Sequence, residues 1–168
     1  MGARGELAMI VRRFEPGNER ELWQLFYNTI HQINSKDYDK AQIAAWAQDN
    51  PDVGFLAQKY KEINPFVVHL GSKIIAYADI QADGYIDHFY CHHEYQGIGI
   101  GRMLFTVLEK NAKQNRIEQM YSNVSITARP FFEAMGFSVE KEQRLTMGNQ
   151  QLKNYRMVRR VTLKEFTA

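Results

Sequence analysis

The chain has 168 residues, 45% of them hydrophobic and 24% charged, a length and mix suited to one globular domain with one sizeable core. A formal net charge of +2 is too small to argue for nucleic acid or a membrane surface as the main partner, and no apolar run approaches transmembrane length. The one cysteine, Cys91, excludes an intrachain disulfide framework and points to a reducing compartment, with the cytoplasm as the default address.

Residues 1–8 lack the apolar centre of a secretory signal and read as a short loose leader, followed by one domain over residues 9–168. Alternation in residues 9–14, ahead of Glu15-Pro16-Gly17, predicts a strand and then a loop. Asn18 is a candidate cap for a helix that carries Leu22, Phe26, Ile30 and Ile33 at helical spacing. A second short helix is predicted over residues 41–48, stopping near Pro51. Residues 53–63 are ambiguous and fit a further helical turn or two. Residues 65–70 and 73–80 predict a hairpin turning at Gly71-Ser72, and Asp83-Gly84 marks a turn before a fourth strand over residues 85–92.

Residues 96–102, Gln-Gly-Ile-Gly-Ile-Gly-Arg, come next, followed at once by an amphipathic helix over residues 103–112. Residues 117–124 predict a strand. A short helix over residues 128–135 has Pro130 in its first turn and Gly136 as its stop. Two closing strands, residues 137–146 and 151–161, flank Met147-Gly148-Asn149. The pattern is an α+β (α/β-like) arrangement around one mixed sheet, mostly antiparallel, with a strand–helix–strand unit in the middle.

The glycine loop is the most informative stretch. Glycine permits sharp turns and close ligand approach. The first turn of a helix leaves N–H groups unpaired, and its dipole favours an anion. Together they suit a pyrophosphate. A nucleoside-triphosphate loop would close with lysine and Ser/Thr, but Arg102-Met103 stands there. Gly97 and Gly99 fit the first half of a dinucleotide fingerprint, but Arg102 replaces its third glycine and the loop lies mid-chain. A dinucleotide-dependent oxidoreductase is therefore the weaker reading.

Gln96, Gly99 and Gly101 match Q/R-x-x-G-x-G/A, and on this pattern the chain resembles the GNAT acetyltransferase superfamily, in a bacterial branch acting on small molecules or uncharacterised. Residues 125–137 (SITARPFFEAMGF) are similar to a second signature of that family, as is the ending Asn154-Tyr155-Arg156-Met157. The resemblance spans residues 9 to about 161. It implies the acyl-CoA N-acyltransferase fold, with six or seven strands splayed between the fourth and fifth, and acetyl-CoA as cosubstrate without a metal. The activity implied is acetyl transfer to a primary amine of a small molecule or peptide, by direct attack in a ternary complex. A non-catalytic acyl-CoA-binding module is the alternative. Exposed sheet edges leave room for a homodimer.

The resemblance also implies roles. Phe89, Tyr90 and Cys91 would run beside the pantetheine arm, with an N–H near Cys91 polarising the thioester. The N–H groups of Ile98, Gly99, Ile100, Gly101 and Arg102 would hold the pyrophosphate, with the Gln96 and Arg102 side chains adding further phosphate contacts and Gly97 in the same loop. Ser125 would meet the thiol end or the pantetheine amides, or cap the following turn. Phe132 stands where many relatives carry an acidic tyrosine, so Tyr121 or Tyr155 would give the proton or the thiolate would leave unaided.

Asp87 is the first candidate for the base, because a carboxylate in a central strand is costly without a purpose or a partner. A neighbouring cation or backbone amide would satisfy it equally well. His88, on the opposite face, is the second candidate and reads also as a hydrogen-bonded core histidine; Tyr85 is the third. Along a strand, His88 and His92 stand roughly 13 Å apart, too far to share a metal ion. Tyr27, His31 and Trp46 are expected at the acceptor cleft, whereas helical spacing assigns Trp23 and Phe26 to the core.

Overall fold

Apolar alternation and turn residues build the first sheet half. In the computed structural model, which describes residues 8–163, β1 (Met9–Arg13), β2 (Phe66–Leu70) and β3 (Lys73–Ala78) pair antiparallel. Gly71, at φ 60°, makes the expected turn between β2 and β3. The leader expected over residues 1–8 lies outside the described residues except for Ala8.

Three helices separate β1 from β2: α1 (Glu19–Gln32), α2 (Lys40–Trp46) and α3 (Val53–Ile63). Asn18 stands at the start of α1 without capping it, because its side-chain oxygen accepts from Arg12 at 2.9 Å. A capping box between Asp39 and Gln42 starts α2. The ambiguity over residues 53–63 resolves as a full helix: Asp52 accepts from the Phe55 N–H at 3.0 Å, and Asn64 ends the helix in the left-handed region.

The expected fourth strand is broken. β4 (Tyr85–Ile86) pairs parallel with β6 (Gln119–Ser125), whereas β5 (Phe89–Cys91) pairs antiparallel with β3. β8 (Gln150–Arg160) then pairs with β6 and with β7 (Ser138–Met147). The ladders run β1-β2-β3-β5 and β4-β6-β8-β7. The splay expected between fourth and fifth strands is present, and it begins inside the fourth, at Asp87-His88. One predicted strand thus serves both sheet halves.

The sheet is covered on both faces. α1 and α3 place Leu22, Leu25, Tyr60 and Ile63 against Val67, Ile74 and Tyr77. On the other face, α4 (Ile100–Gln114) and α5 (Arg129–Ala134) bring Leu104, Leu108 and Phe132 against Ile75, Ala76, Met120 and Met157. Leu104 and Leu108 are fully buried, each contributing roughly 2 kcal/mol by the transfer of its side chain from water. α4 starts three residues earlier than its apolar pattern suggests, so the last glycine of the loop lies inside its first turn.

Asp79, fully buried beside the break, holds it in shape. One carboxylate oxygen accepts the N–H groups of Asp87 at 3.1 Å and His88 at 2.6 Å, and the other accepts from Gln81 at 2.7 Å. Burial pushes its pKa up to about 6, against the opposing pull of these hydrogen bonds. Replacing Asp79 by alanine orphans two buried N–H groups and is expected to cost about 3 kcal/mol in denaturant unfolding.

Asparagine at position 79 keeps the shape and removes the titration. A folded-state pKa above the unfolded value makes the Asp79 contribution to stability fall as pH climbs from about 4 to about 6. His88 acts oppositely. Burial pushes its imidazole down to about 4, so its contribution rises with pH from about 4 to about 6.5. Asp79→Asn leaves the histidine unopposed, and unfolding free energy is expected to rise more steeply over that range than in the parent protein.

Candidate active site

The parting of the two sheet halves forms a crevice of about 400 Å³. It opens beyond the point where the Ser122 hydroxyl donates to the Ile86 carbonyl at 2.7 Å, joining the two segments before they diverge. Beyond that point Asp87, Phe89, Tyr90 and Cys91 line one wall, and Asn123, Val124 and Ser125 line the other.

Strand register decides which main-chain groups face the crevice. Asp79 N–H donates to the His88 carbonyl and His92 N–H donates to the Ile75 carbonyl, so residues 88, 90 and 92 turn their backbone groups toward β3. Alternation in an antiparallel pair then points Phe89 and Cys91 the other way. β5 is the edge of its ladder, so the Phe89 and Cys91 N–H groups have no strand partner. The Cys91 carbonyl, on the same side, accepts from Thr29 Oγ1 at 2.9 Å and Gln96 Nε2 at 2.8 Å.

The glycine loop closes one end. Gly97 and Gly99 have φ of 73° and 89°, and Gly99 is the N-cap of α4 with no side chain capping the helix. Among the described residues, the N–H groups of Gly99, Ile100, Gly101 and Arg102 donate to no acceptor. Four main-chain donors at the positive end of a 15-residue helix form an anion cradle, and this donor set fits a pyrophosphate. Gly101 packs closely, since a Cβ there would stand 3.0 Å from the Phe131 ring and would require that ring to shift by a few tenths of an ångström.

Of the residues expected around the cofactor, Phe89, Tyr90, Cys91, Gln96, Gly97, Gly99, Ile100, Gly101, Arg102, Ser125 and Phe132 all line the crevice. Ile98 does not; its side chain is 61% exposed, so only its backbone is in the loop. The Gln96 side chain ties the loop to the end of β5 through the Cys91 carbonyl. Ser125 Oγ accepts from the Ala128 N–H at 3.0 Å and from Asn34 Nδ2 at 3.3 Å, so it caps the turn into α5 while facing the crevice. Phe132 is buried edge-on to Phe89 and Phe137. Thr29, Ile33 and Asn34 of α1 and the turn after it also line the crevice, unforeseen in the sequence.

Asp87 lines the crevice and is ion-paired with Lys59 of α3. His88 points to the opposite side, stacked on Phe26, with Nδ1 2.9 Å from the Tyr77 hydroxyl. A pKa near 4 keeps it neutral at pH 7 and makes it a weak proton acceptor. Burial pushes the Cys91 thiol up to about 12, so it is no thiolate nucleophile.

Neither tyrosine considered as the acid lines the crevice. Tyr155 is buried in the core with the Arg129 guanidinium over its ring, and the Tyr121 hydroxyl donates to Asp83 at 2.5 Å. Of the residues expected at the acceptor cleft, Tyr27 donates to Asp49 at 2.6 Å and stacks on His31, whose Nε2 meets the Ala47 carbonyl at 2.9 Å, and neither lines the crevice or a second cleft next to it. Trp23 and Phe26 pack against the core as expected and, half-buried, also line that second cleft beside His88. Trp46 lines both cavities.

The chain is similar to known proteins. The family model described as an acetyltransferase (GNAT) domain matches residues 34–157. An uncharacterised N-acetyltransferase of Escherichia coli K12, YafP, is 27% identical over 147 residues, covering 88% of this chain and 93% of that protein. The crystal structure of a GCN5-related N-acetyltransferase from Rhodopseudomonas palustris superposes with a TM-score of 0.86 at 23% identity, covering 95% of this chain and 99% of the other. That of the PaiA N-acetyltransferase from Thermoplasma acidophilum, in complex with coenzyme A, gives 0.73 at 18% identity, covering 91% and 99%.

Proposed function

Because the chain belongs to the GNAT acetyltransferase family, we propose that it moves acetyl from acetyl-CoA to a primary amine by direct attack in a ternary complex. The observation that carries this reading is the continuous row of free main-chain donors, from Phe89 and Cys91 to Gly99–Arg102, along one crevice.

Acetyl-CoA supplies the acyl group as a thioester. The N–H groups of Gly99 to Arg102 hold the pyrophosphate, and the Cys91 N–H polarises the thioester carbonyl and stabilises the oxyanion that forms on attack. Asp87, at the crevice wall, takes the ammonium proton directly or through water, since an alkylamine with a pKa near 10.4 is protonated at neutral pH. The neutral Cys91 thiol gives no activated nucleophile for an acetyl-enzyme. Phe132 has no proton to give, so the departing sulfur draws its proton from water or from the acceptor nitrogen. The single cysteine fits a reducing, cytoplasmic setting. The exposed edges at β1 and β7 leave room for a homodimer.

Saturating acetyl-CoA is expected to raise the melting temperature, by about 2.7 kcal/mol of added stability at 100 times Kd. A melting curve unmoved by acetyl-CoA would count decisively against the crevice as its site.

A further inference from the structure

A second cleft, of about 390 Å³, opens beside the crevice and shares Trp46 with it. Trp23, Phe26, Phe55 and Leu56 form its walls, and Lys59 and His88 lie in its lining. Lys59 Nζ pairs with the Asp87 carboxylate, which lines the crevice. The two cavities therefore meet at one ion pair, with side chains 31% and 26% exposed, accessible yet partly withdrawn from water.

We propose that this cleft receives the acceptor, and that the acceptor is a free α-amino acid with an aromatic or large apolar side chain, its ammonium on Asp87 and its carboxylate on Lys59. The proposal rests on the acetyltransferase reading and names the substrate class of that site. Charge balance is the first argument. A simple amine that took Asp87 would strand the Lys59 ammonium, and an unpaired charge in a partly desolvated place is costly. A zwitterion meets both members of the pair in opposite order and leaves all four charges matched. A polyamine needs several free carboxylates. Among the described residues the one carboxylate lining this cleft is Asp52, and its Oδ1 already accepts from the Phe55 N–H at 3.0 Å.

The walls supply the second argument. Phe26 stacks on the imidazole of His88 with centroids 5.6 Å apart, and Trp46 closes the side toward the crevice. Aromatic and aliphatic surfaces of this extent select a flat or bulky apolar body through its removal from water.

Asp87 accepts one ammonium proton, and the nitrogen lone pair attacks the thioester carbonyl carbon. The C–N bond forms and the C–S bond breaks. The nitrogen sheds a second proton, the sulfur leaves as the protonated CoA thiol, and the products are an N-acetyl amino acid and CoA.

The test is CoA-thiol release from acetyl-CoA with L-tryptophan, L-phenylalanine, tryptamine, phenethylamine and spermidine, for the parent enzyme and for Lys59→Met and Lys59→Arg. The amino acids are expected to exceed their decarboxylated counterparts in kcat/KM by about tenfold or more. Lys59→Met should collapse that ratio toward one, mainly through KM, and Lys59→Arg should restore most of it. Tryptamine or spermidine matching tryptophan in the parent enzyme, or a ratio untouched in Lys59→Met, would overturn the amino-acid assignment and leave acetyl transfer standing. No thiol release with any of the five amines would overturn the amino-acid assignment, and only together with a melting curve unmoved by acetyl-CoA would it overturn the acetyl-transfer reading as well.

Discussion

An enzyme with leucine in place of Gly99 is expected to bind acetyl-CoA at least about 100-fold more weakly, with its fold retained. Gly99 sits at φ 89°, a backbone conformation that L side chains rarely adopt, and a Cβ there meets nothing within 4 Å. The penalty in the free protein is therefore roughly 1–2 kcal/mol of backbone strain rather than a clash. The chain relieves that strain by rotating φ, which turns the N–H groups at the start of α4 away from their common direction. Hydrogen bonds to a charged group contribute about 1.5–3 kcal/mol each, so misaligning two of the four donors removes about 3–6 kcal/mol of binding. Calorimetric titration with acetyl-CoA, beside a circular-dichroism melt of the free variant, checks both halves. Parental affinity in Gly99→Leu would place the pyrophosphate elsewhere.

Asp87→Asn is expected to cost about 10²- to 10³-fold in kcat while leaving acetyl-CoA affinity within about twofold. Asparagine preserves the shape and the Asp87 backbone contact to Asp79, but it cannot accept the ammonium proton. Lys59 loses its counterion, and an acceptor loses the carboxylate on which its nitrogen would rest. The donors of the glycine loop are untouched. Steady-state kinetics at saturating acetyl-CoA, with affinity measured separately, distinguishes the two effects. Full turnover would dismiss Asp87 as the base, and His88 is a poor substitute because its buried imidazole holds a proton weakly at neutral pH.

The parts of this site written in local sequence were legible. Alternating glycines ahead of an amphipathic run specify a loop and a helix start through backbone sterics alone, and Pro130 and Gly136 bracket α5 for the same reason. What depends on pairing between distant segments was not. Asp79 reads as one carboxylate at a strand end, and only the β3–β5 ladder shows it gathering the N–H groups of Asp87 and His88. Lys59 and Asp87 lie 28 residues apart, and their contact depends on where α3 crosses the sheet. That Trp23 and Phe26 border a cleft as well as the core, whereas Tyr27 and His31 line neither cavity described above, has a similar origin. A helix of mixed polarity offers several aromatic stripes, and packing against the strands decides which one borders a cavity. Tyr155 shows the limit of a resemblance carried along a strand: its residue type suits proton donation, but packing buries it beneath Arg129.

The broken fourth strand makes the length of its bridge a matter of parity. Two residues, Asp87 and His88, connect Ile86 to Phe89, and odd-numbered positions beyond them turn their amides inward. One residue added to that bridge would flip the whole segment by half a pleat. Every side chain would survive, yet the inward donors would be lost to β3. Drift in this part of the chain is thus confined to replacement or to changes of two residues at a time, a constraint imposed by main-chain direction rather than by any single side chain.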